Sequence, residues 1–178
     1  LVFTFVITLI VGIQWGIVSG VGASLLLFLV QTSRPHVAVL GRVPGSEMYL
    51  NVARHPQAQL LPGVLIVRMD AQFYFGNVSF LKETLRELEA DLARPLRAVV
   101  LDASGMNQLD SSAEAALCEI DRDYRERGVQ LLFARVKGPV RDVMQHSGML
   151  ARLSAEGRFF YRTHDAAEHA LGIGAPAS

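Results

Sequence analysis

Leu101-Asp102-Ala103-Ser104-Gly105-Met106-Asn107-Gln108-Leu109-Asp110-Ser111-Ser112-Ala113 leaves one kind of pattern and enters another. Before it, Ala98 to Asp102 (AVVLD) is a continuous apolar run of strand length. After it, Ser111 to Arg127 carries apolar residues at helical spacing, with Ala115, Leu117, Cys118, Ile120 and Tyr124 expected on the inner side. Gly128 supplies the stop, since glycine is favoured just past a helix C-terminus. A buried strand, a polar turn and an amphipathic helix form the repeating unit of an α/β domain.

The same alternation continues on both sides. Upstream, Val64 to Asp70 (VLIVRMD) reads as a buried strand, and Asn77 to Ala93 as a helix with Phe80, Leu81, Leu85, Leu88 and Leu92 on one side; Arg94-Pro95 ends it. Downstream come a strand at Val129 to Ala134, a short helix at Pro139 to His146 closed by Gly148, an edge strand near Phe159 to Tyr161, and a last helix near Asp165 to Leu171. His36 to Val43 alternates as a first strand, suited to antiparallel pairing at an edge, and Pro44-Gly45 turns the chain. Ser46 to Gly63, with Tyr49, Arg54, His55 and Pro56, reads as an irregular connection. The expected fold is α/β, a mostly parallel sheet covered by helices. No internal repeat is visible.

The beginning of the chain has a different composition. Among 178 residues, Lys+Arg and Asp+Glu both count 17, a balance that offers no basic excess for nucleic acid. Yet residues 1–33 contain no Asp, Glu, Lys, Arg or His, and the first charge is Arg34. There is no basic region before the apolar run, as a signal peptide would need. A membrane span needs roughly 20 apolar residues to cross about 30 Å of hydrocarbon, so membrane insertion is expected. At ~1.5 Å per residue, one helix of this length would reach about 50 Å, more than one crossing requires. Two readings follow. The chain breaks at Gly12-Ile13-Gln14-Trp15-Gly16, giving a helical hairpin, with Leu1 to Val11 ending one helix and Ile17 to Gln31 forming the next. Alternatively, a single tilted helix aligns Gly12, Gly16, Gly20 and Ser24 at four-residue spacing as a packing face. The break is favoured, and either way the glycines imply neighbouring helices. The chain opens on Leu rather than Met, so further spans are expected upstream. Ser33-Arg34-Pro35 ends the helix. Arg34, His36, Arg42 and Arg54 follow closely, and the excess of positive charge on the inner side of membranes places everything downstream in the cytoplasm. The expected organisation is therefore 1–33, the end of a transmembrane region; 34–46, connection and first strand; 47–172, the rest of a cytoplasmic domain; and 173–178, a small uncharged tail. One cysteine, Cys118, excludes an intrachain disulfide and fits a reducing compartment.

The turn quoted first is where ligand chemistry is expected, because open α/β sheets bind ligands at the C-terminal ends of their strands. A helix N-terminus there offers N–H groups and a partial positive charge to a phosphate. Asp102, Ser104, Asp110, Ser111 and Ser112 are the candidates. Capping is the competing reading: Ser111-x-x-Glu114 fits a box in which Ser111 accepts and Glu114 reaches back, and Asp102 suits a bond to the backbone of its own loop. AVVLD resembles the second strand of a nucleotide hydrolase, but no GxxxxGK[ST] accompanies it. The five histidines lack metal-binding spacing, and His164 and His169 read as solvated. Arg135, Lys137 and Arg141 suggest a small basic patch, read as a solvated surface in preference to a dedicated anion site. No catalysis, metal or cofactor is expected.

The pattern LDASG…LDSSA, with Gly128-Val129-Gln130-Leu131-Leu132 and Val136-Lys137-Gly138-Pro139-Val140, resembles a STAS domain, named for sulphate transporters and anti-sigma-factor antagonists. In the antagonists a serine of this loop is phosphorylated, and the matching acceptor here is Ser112. Those proteins have Gly after it, whereas this chain has Ala113. Joined to GIQWGIVSGVGASLLLFLV and SRPHVAVLGRVPGS, the domain resembles the end of a SulP-family anion transporter, related to the SLC26 proteins. That resemblance covers nearly the whole chain. It implies a multi-pass protein of the cell (inner) membrane carrying sulphate, bicarbonate, chloride or dicarboxylates. It also implies a cytoplasmic STAS domain that regulates transport, contributes to a homodimer and contacts the remaining transmembrane helices. The anion carried, and a protein or nucleotide ligand of the domain, stay open, as does the alternative of a membrane-tethered signalling module of the antagonist type.

Overall fold

The structure, a computed structural model, describes residues 2–33, 35–92 and 94–172. The tail 173–178 and the first charge, Arg34, lie outside the described residues, as does Ala93, where helix was expected to end. The chain divides into two compact units, Leu1–Arg34 and Pro35–Ser178.

In the first unit, Gly12 takes φ +105°, a left-handed value open to glycine, and separates α1 (Val2–Val11) from α2 (Ile13–Ser33). The second helix begins four residues earlier than Ile17, at Ile13. The two helices meet at Gly16, which is buried: a Cβ there would lie 1.9 Å from Thr8 Oγ1. Gly20 is half-buried. Among the described residues no helix is long and apolar enough to cross a membrane. The break leaves α1 ten residues, about 15 Å of helix, and α2 twenty-one.

In the second unit, six strands order as β2-β1-β3-β4-β5-β6. β3 (Val64–Met69), β4 (Ala98–Asp102), β5 (Gln130–Ala134) and β6 (Phe159–Phe160) run parallel. The mostly parallel α/β sheet is the fold expected. β1 (Val37–Arg42) is antiparallel to β3, but it is not the edge: β2 (Tyr49–Asn51), within the stretch expected to be irregular, pairs antiparallel outside it. Its three residues are all half-buried, so no alternation advertised it.

β4 is buried at every position because both faces are covered, which is why it reads as a continuous apolar run. On one face Leu65, Val67, Val99, Leu101, Leu131 and Phe133 meet α3 (Val78–Ala90), α4 (Ser111–Glu126), α5 (Gly138–His146) and α6 (Met149–Ala155). α4 presents Ala113, Ala116, Leu117, Ile120 and Tyr124 inward; Ala115 is exposed, one position out of phase with that stripe. α6 was not foreseen: Gly148 (φ +78°) closes α5 and at once caps a further helix of seven residues. On the opposite face α7 (Thr163–Gly172) packs with Ala166, Ala167 and Ala170 fully buried against Val64, Ile66, Ala98, Val100, Leu132 and Ala134. Alanines let its backbone approach the sheet closely. It starts two residues before Asp165, a difference that matters for the site below.

Candidate functional site

The turn after β4 begins with a tight 3-10 loop, Ala103–Gly105. A Cβ on Gly105 would lie 2.2 Å from Met69 O, so only glycine lets this loop rest on the end of β3. Beyond it, Asp110 is the N-cap of α4, with Oδ1 accepting from Ala113 N at 2.7 Å. The capping box expected on Ser111 and Glu114 is therefore corrected by one residue. Asp and Ser both cap well, and the chain uses Asp110 because its other oxygen accepts from Phe75 N at 3.0 Å. Glu114 instead accepts from Cys118 Sγ at 3.3 Å. Ser111 and Ser112 are exposed on the first turn of α4.

The loop that Asp110 holds is organised by Asn77, a buried polar residue that sequence reading passed over. Its Nδ2 donates to Gln72 O at 2.8 Å and its Oδ1 accepts from Tyr74 N at 3.1 Å. Strand-like bonds from Phe73 N to Gln108 O and from Asp110 N to Phe73 O complete the seam.

Asp102 belongs to a different place. Its carboxylate is 1 % exposed, accepts from Ser104 N at 2.9 Å and from Thr163 Oγ1 at 2.8 Å, and has Arg135 Nη1 at 3.8 Å. Backbone bonding within its own loop is thus only part of its role. It also anchors the start of α7, and it borders a cleft of about 320 Å³ lined by Glu47, Tyr49, Arg68, Arg135, Arg162 and His164 among others. The structure therefore brings Asp102 and Ser104 to one location and Asp110, Ser111 and Ser112 to another.

The charges around the cleft are paired in distinct ways. Arg68 grips Asp70 with Nε at 2.6 Å from Oδ1 and Nη2 at 3.1 Å from Oδ2. That hydrogen bond is the main reason Asp70 stays ionised below the usual carboxylate range, helped by His36 at 3.3 Å. Glu47 is ion-paired with Arg162, which lowers its carboxyl pKa, and lies 3.7 Å from His164 Nε2. Tyr49 Oη is 3.4 Å from His164 Nδ1, and burial pushes the phenol upward. His164 is half-buried here and is not the solvated residue expected, whereas His169 is exposed, with its ring centroid 5.3 Å from that of Phe160. Of Arg135, Lys137 and Arg141, Arg135 stands 3.8 Å from Asp102 and Lys137 Nζ donates to Asn107 Oδ1 at 2.6 Å. Arg162 and Thr163 escaped sequence reading, and His164 was read only as solvated, although their position, where a strand hands over to a helix, is the same signal that singled out Asp110 to Ser112. Among the described residues no group of His, Cys, Asp and Glu has the arrangement of a metal site.

Residues 55–167 match the family model described as the STAS domain. The chain belongs to the STAS-domain family. The match takes in Asp102, Ser112, Arg135 and His164, but not Glu47 or Tyr49 on the β1–β2 side of the cleft. Beyond the STAS domain itself, the chain is 37 % identical over 177 residues to "Sulfate transporter 4.1, chloroplastic" of Arabidopsis thaliana, covering 94 % of this chain and 26 % of that one. A murine structure, the Solute Carrier 26 family member A9 anion transporter in the inward-facing state, superposes with a TM-score of 0.79 at 24 % identity over 95 % of this chain and 27 % of its own. The SulP transporter STAS domain of Vibrio cholerae gives 0.52 at 17 % identity over 68 % and 91 %. At these identities the structural likeness shows the fold. The chain spans about a quarter of the length of the sulfate transporters it matches.

Proposed function

We propose that this chain is the C-terminal part of a SulP-type membrane transporter for sulphate or a related anion, and that its STAS domain regulates transport and assembly. One observation carries this reading. The 37 % identity to a sulfate transporter extends over 94 % of the chain, and so includes much of the apolar first unit as well as the STAS domain. A tethered signalling module of the antagonist type leaves that first part of the match unexplained. In this reading Leu1–Arg34 is the end of the transmembrane region, which α1 and α2 join through further helices of the same protein. His36, Arg42 and Arg54 set the STAS domain on the cytoplasmic side of the cell membrane, and two copies assemble as a homodimer. The transport site lies in the remainder of the protein, and no catalysis is assigned to this chain.

The test is uptake by the full-length protein in proteoliposomes. Labelled sulphate should accumulate above empty vesicles, with bicarbonate and dicarboxylates tried as competitors. Failure of all three classes to enter or to compete would remove the transporter reading.

A further inference from the structure

The cleft beside Asp102 lies where the chain changes faces. The loop after β5 leads to α5 on one side of the sheet, while the loop after β6 leads to α7 on the other. Neighbouring loops that part in this way leave a crevice at the C-terminal ends of parallel strands, and such crevices take ligands. Three arginines and a histidine line this one against two carboxylates, with Asp70 against Arg68 and Asp165 3.7 Å from Arg162 just outside the lining.

The arginines are not equally committed. Arg68 is bound bidentate by Asp70, and Arg162 is paired closely with Glu47 and more loosely with Asp165 at 3.7 Å. Among the described residues Arg135 has a single ion pair, to Asp102 at 3.8 Å, beyond hydrogen-bond reach, and Asp102 is already satisfied by Thr163 and Ser104. Arg135 is also the only non-glycine residue at positive φ among the described residues, at +56°. That conformation is held by its own N–H, which donates to Phe160 O at 3.1 Å. Strain of this kind persists where the surroundings fix it, and it concentrates at ligand sites.

Across the cleft, Glu47 has a side chain 58 % exposed, yet its carboxylate is held by Arg162 with His164 at 3.7 Å. A carboxylate from a surface turn thus occupies the place where an arginine and a histidine at the start of α7 would receive an anion. The N-terminus of that helix adds its own partial positive charge.

We propose that this cleft binds a compact free oxyanion of the sulphate or phosphate class between Arg135 and Arg162, with Glu47 as an internal competitor that the anion displaces. A guanidinium fork matches two oxygens of such an anion, which is why two arginines suffice to hold it. The site does not rest on the transport reading; a STAS domain in any setting would carry it.

Calorimetric titration of the whole 178-residue chain in detergent tests it, using sulphate, phosphate and phenyl phosphate against chloride at matched ionic strength. Sulphate or phosphate should bind saturably where chloride does not. Arg135→Gln should weaken binding by about tenfold or more, the loss expected of one charge-assisted bond. Arg135→Gly removes the same charge while relaxing the backbone, so it should fold and still lose binding. Glu47→Gln should tighten binding several-fold by releasing Arg162. No binding beyond the chloride control, unchanged affinity in both Arg135 variants, or capture of phenyl phosphate without sulphate or phosphate would overturn the site. Unchanged or weaker binding by Glu47→Gln would overturn the competitor.

Discussion

Asp110 uses both carboxylate oxygens on the backbone, one on Ala113 N within its own helix and one on Phe75 N, 35 residues earlier in the chain. A residue so engaged is structural, and Ser111 and Ser112 beside it are the groups left open to solvent. Asp110→Ala should therefore cost about 1 kcal/mol, the usual worth of a helix N-cap, read from urea unfolding, while Asp110→Asn should retain most of it. A neutral result for Asp110→Ala would mean that Ser111 takes over the cap. Asp70 gives a second residue-level expectation. Because the Arg68 hydrogen bond, and then His36, hold its folded pKa below the ordinary carboxylate value, its contribution is fully present above that value and is lost as pH falls through the folded one. Wild type should be more stable than Asp70→Asn above about pH 5, and the two should converge on acidification below about pH 4. A gap that stays constant to low pH in paired urea titrations would assign the effect to packing.

Elements are tied together by a buried ion pair that no periodicity announces. Asp121 on α4 receives Arg158 from the loop before β6; both are almost wholly buried, Arg158 Nη1 also donates to Leu131 O at 3.1 Å on β5, and Arg152 of α6 stands 3.4 Å from Asp121. Removing one partner strands the other's charge in a low-dielectric interior. Asp121→Ala should destabilise by about 3 kcal/mol in urea unfolding, at the lower end of the range for broken buried pairs because Glu156 still meets Arg158. A loss below about 1 kcal/mol would show that solvent reaches the site. Such ties explain what could be read in advance. β3, β4 and β5 were legible because burial on two faces leaves unbroken apolar runs, and α3 and α4 because one buried face leaves a helical stripe. β2 was not, since its order comes from pairing with β1 rather than from its own three residues. α6 is too short for a periodic signal. The cap slipped by one residue because the choice between Asp110 and Ser111 is made by Phe75, distant in sequence. The cleft was hidden for the same reason: Arg68, Arg135 and Arg162 meet only because α7 crosses to the opposite face.

At the scale of the molecule the two units differ in where their apolar surface goes. Pro35–Ser178 folds most of its large hydrophobic residues into two cores, one on each side of the sheet, with Phe75 and Tyr161 among those left exposed. The helices of the first unit leave theirs outside: Val2, Leu9, Ile10, Ile13 and Trp15 are all at least 60 % exposed, as are Leu26 and Phe28. Contiguous apolar surface of that kind is covered in a working protein by lipid or by other helices. The ten residues of α1 are too few for a crossing, so contact with lipid is better tested than assumed. The whole chain should float with phosphatidylcholine vesicles in a density gradient, and a chain beginning at Pro35 should stay behind. Trp15 reports the contact independently, because it is the only tryptophan and all four tyrosines lie in the second unit. Its emission should shift to the blue on adding vesicles, as an indole leaving water does, while tyrosine emission stays fixed. Flotation without a Trp15 shift would place the lipid contact elsewhere on α1 or α2. A chain that neither floats nor shifts would mean that α1 and α2 are covered by protein, the helices their small residues suit.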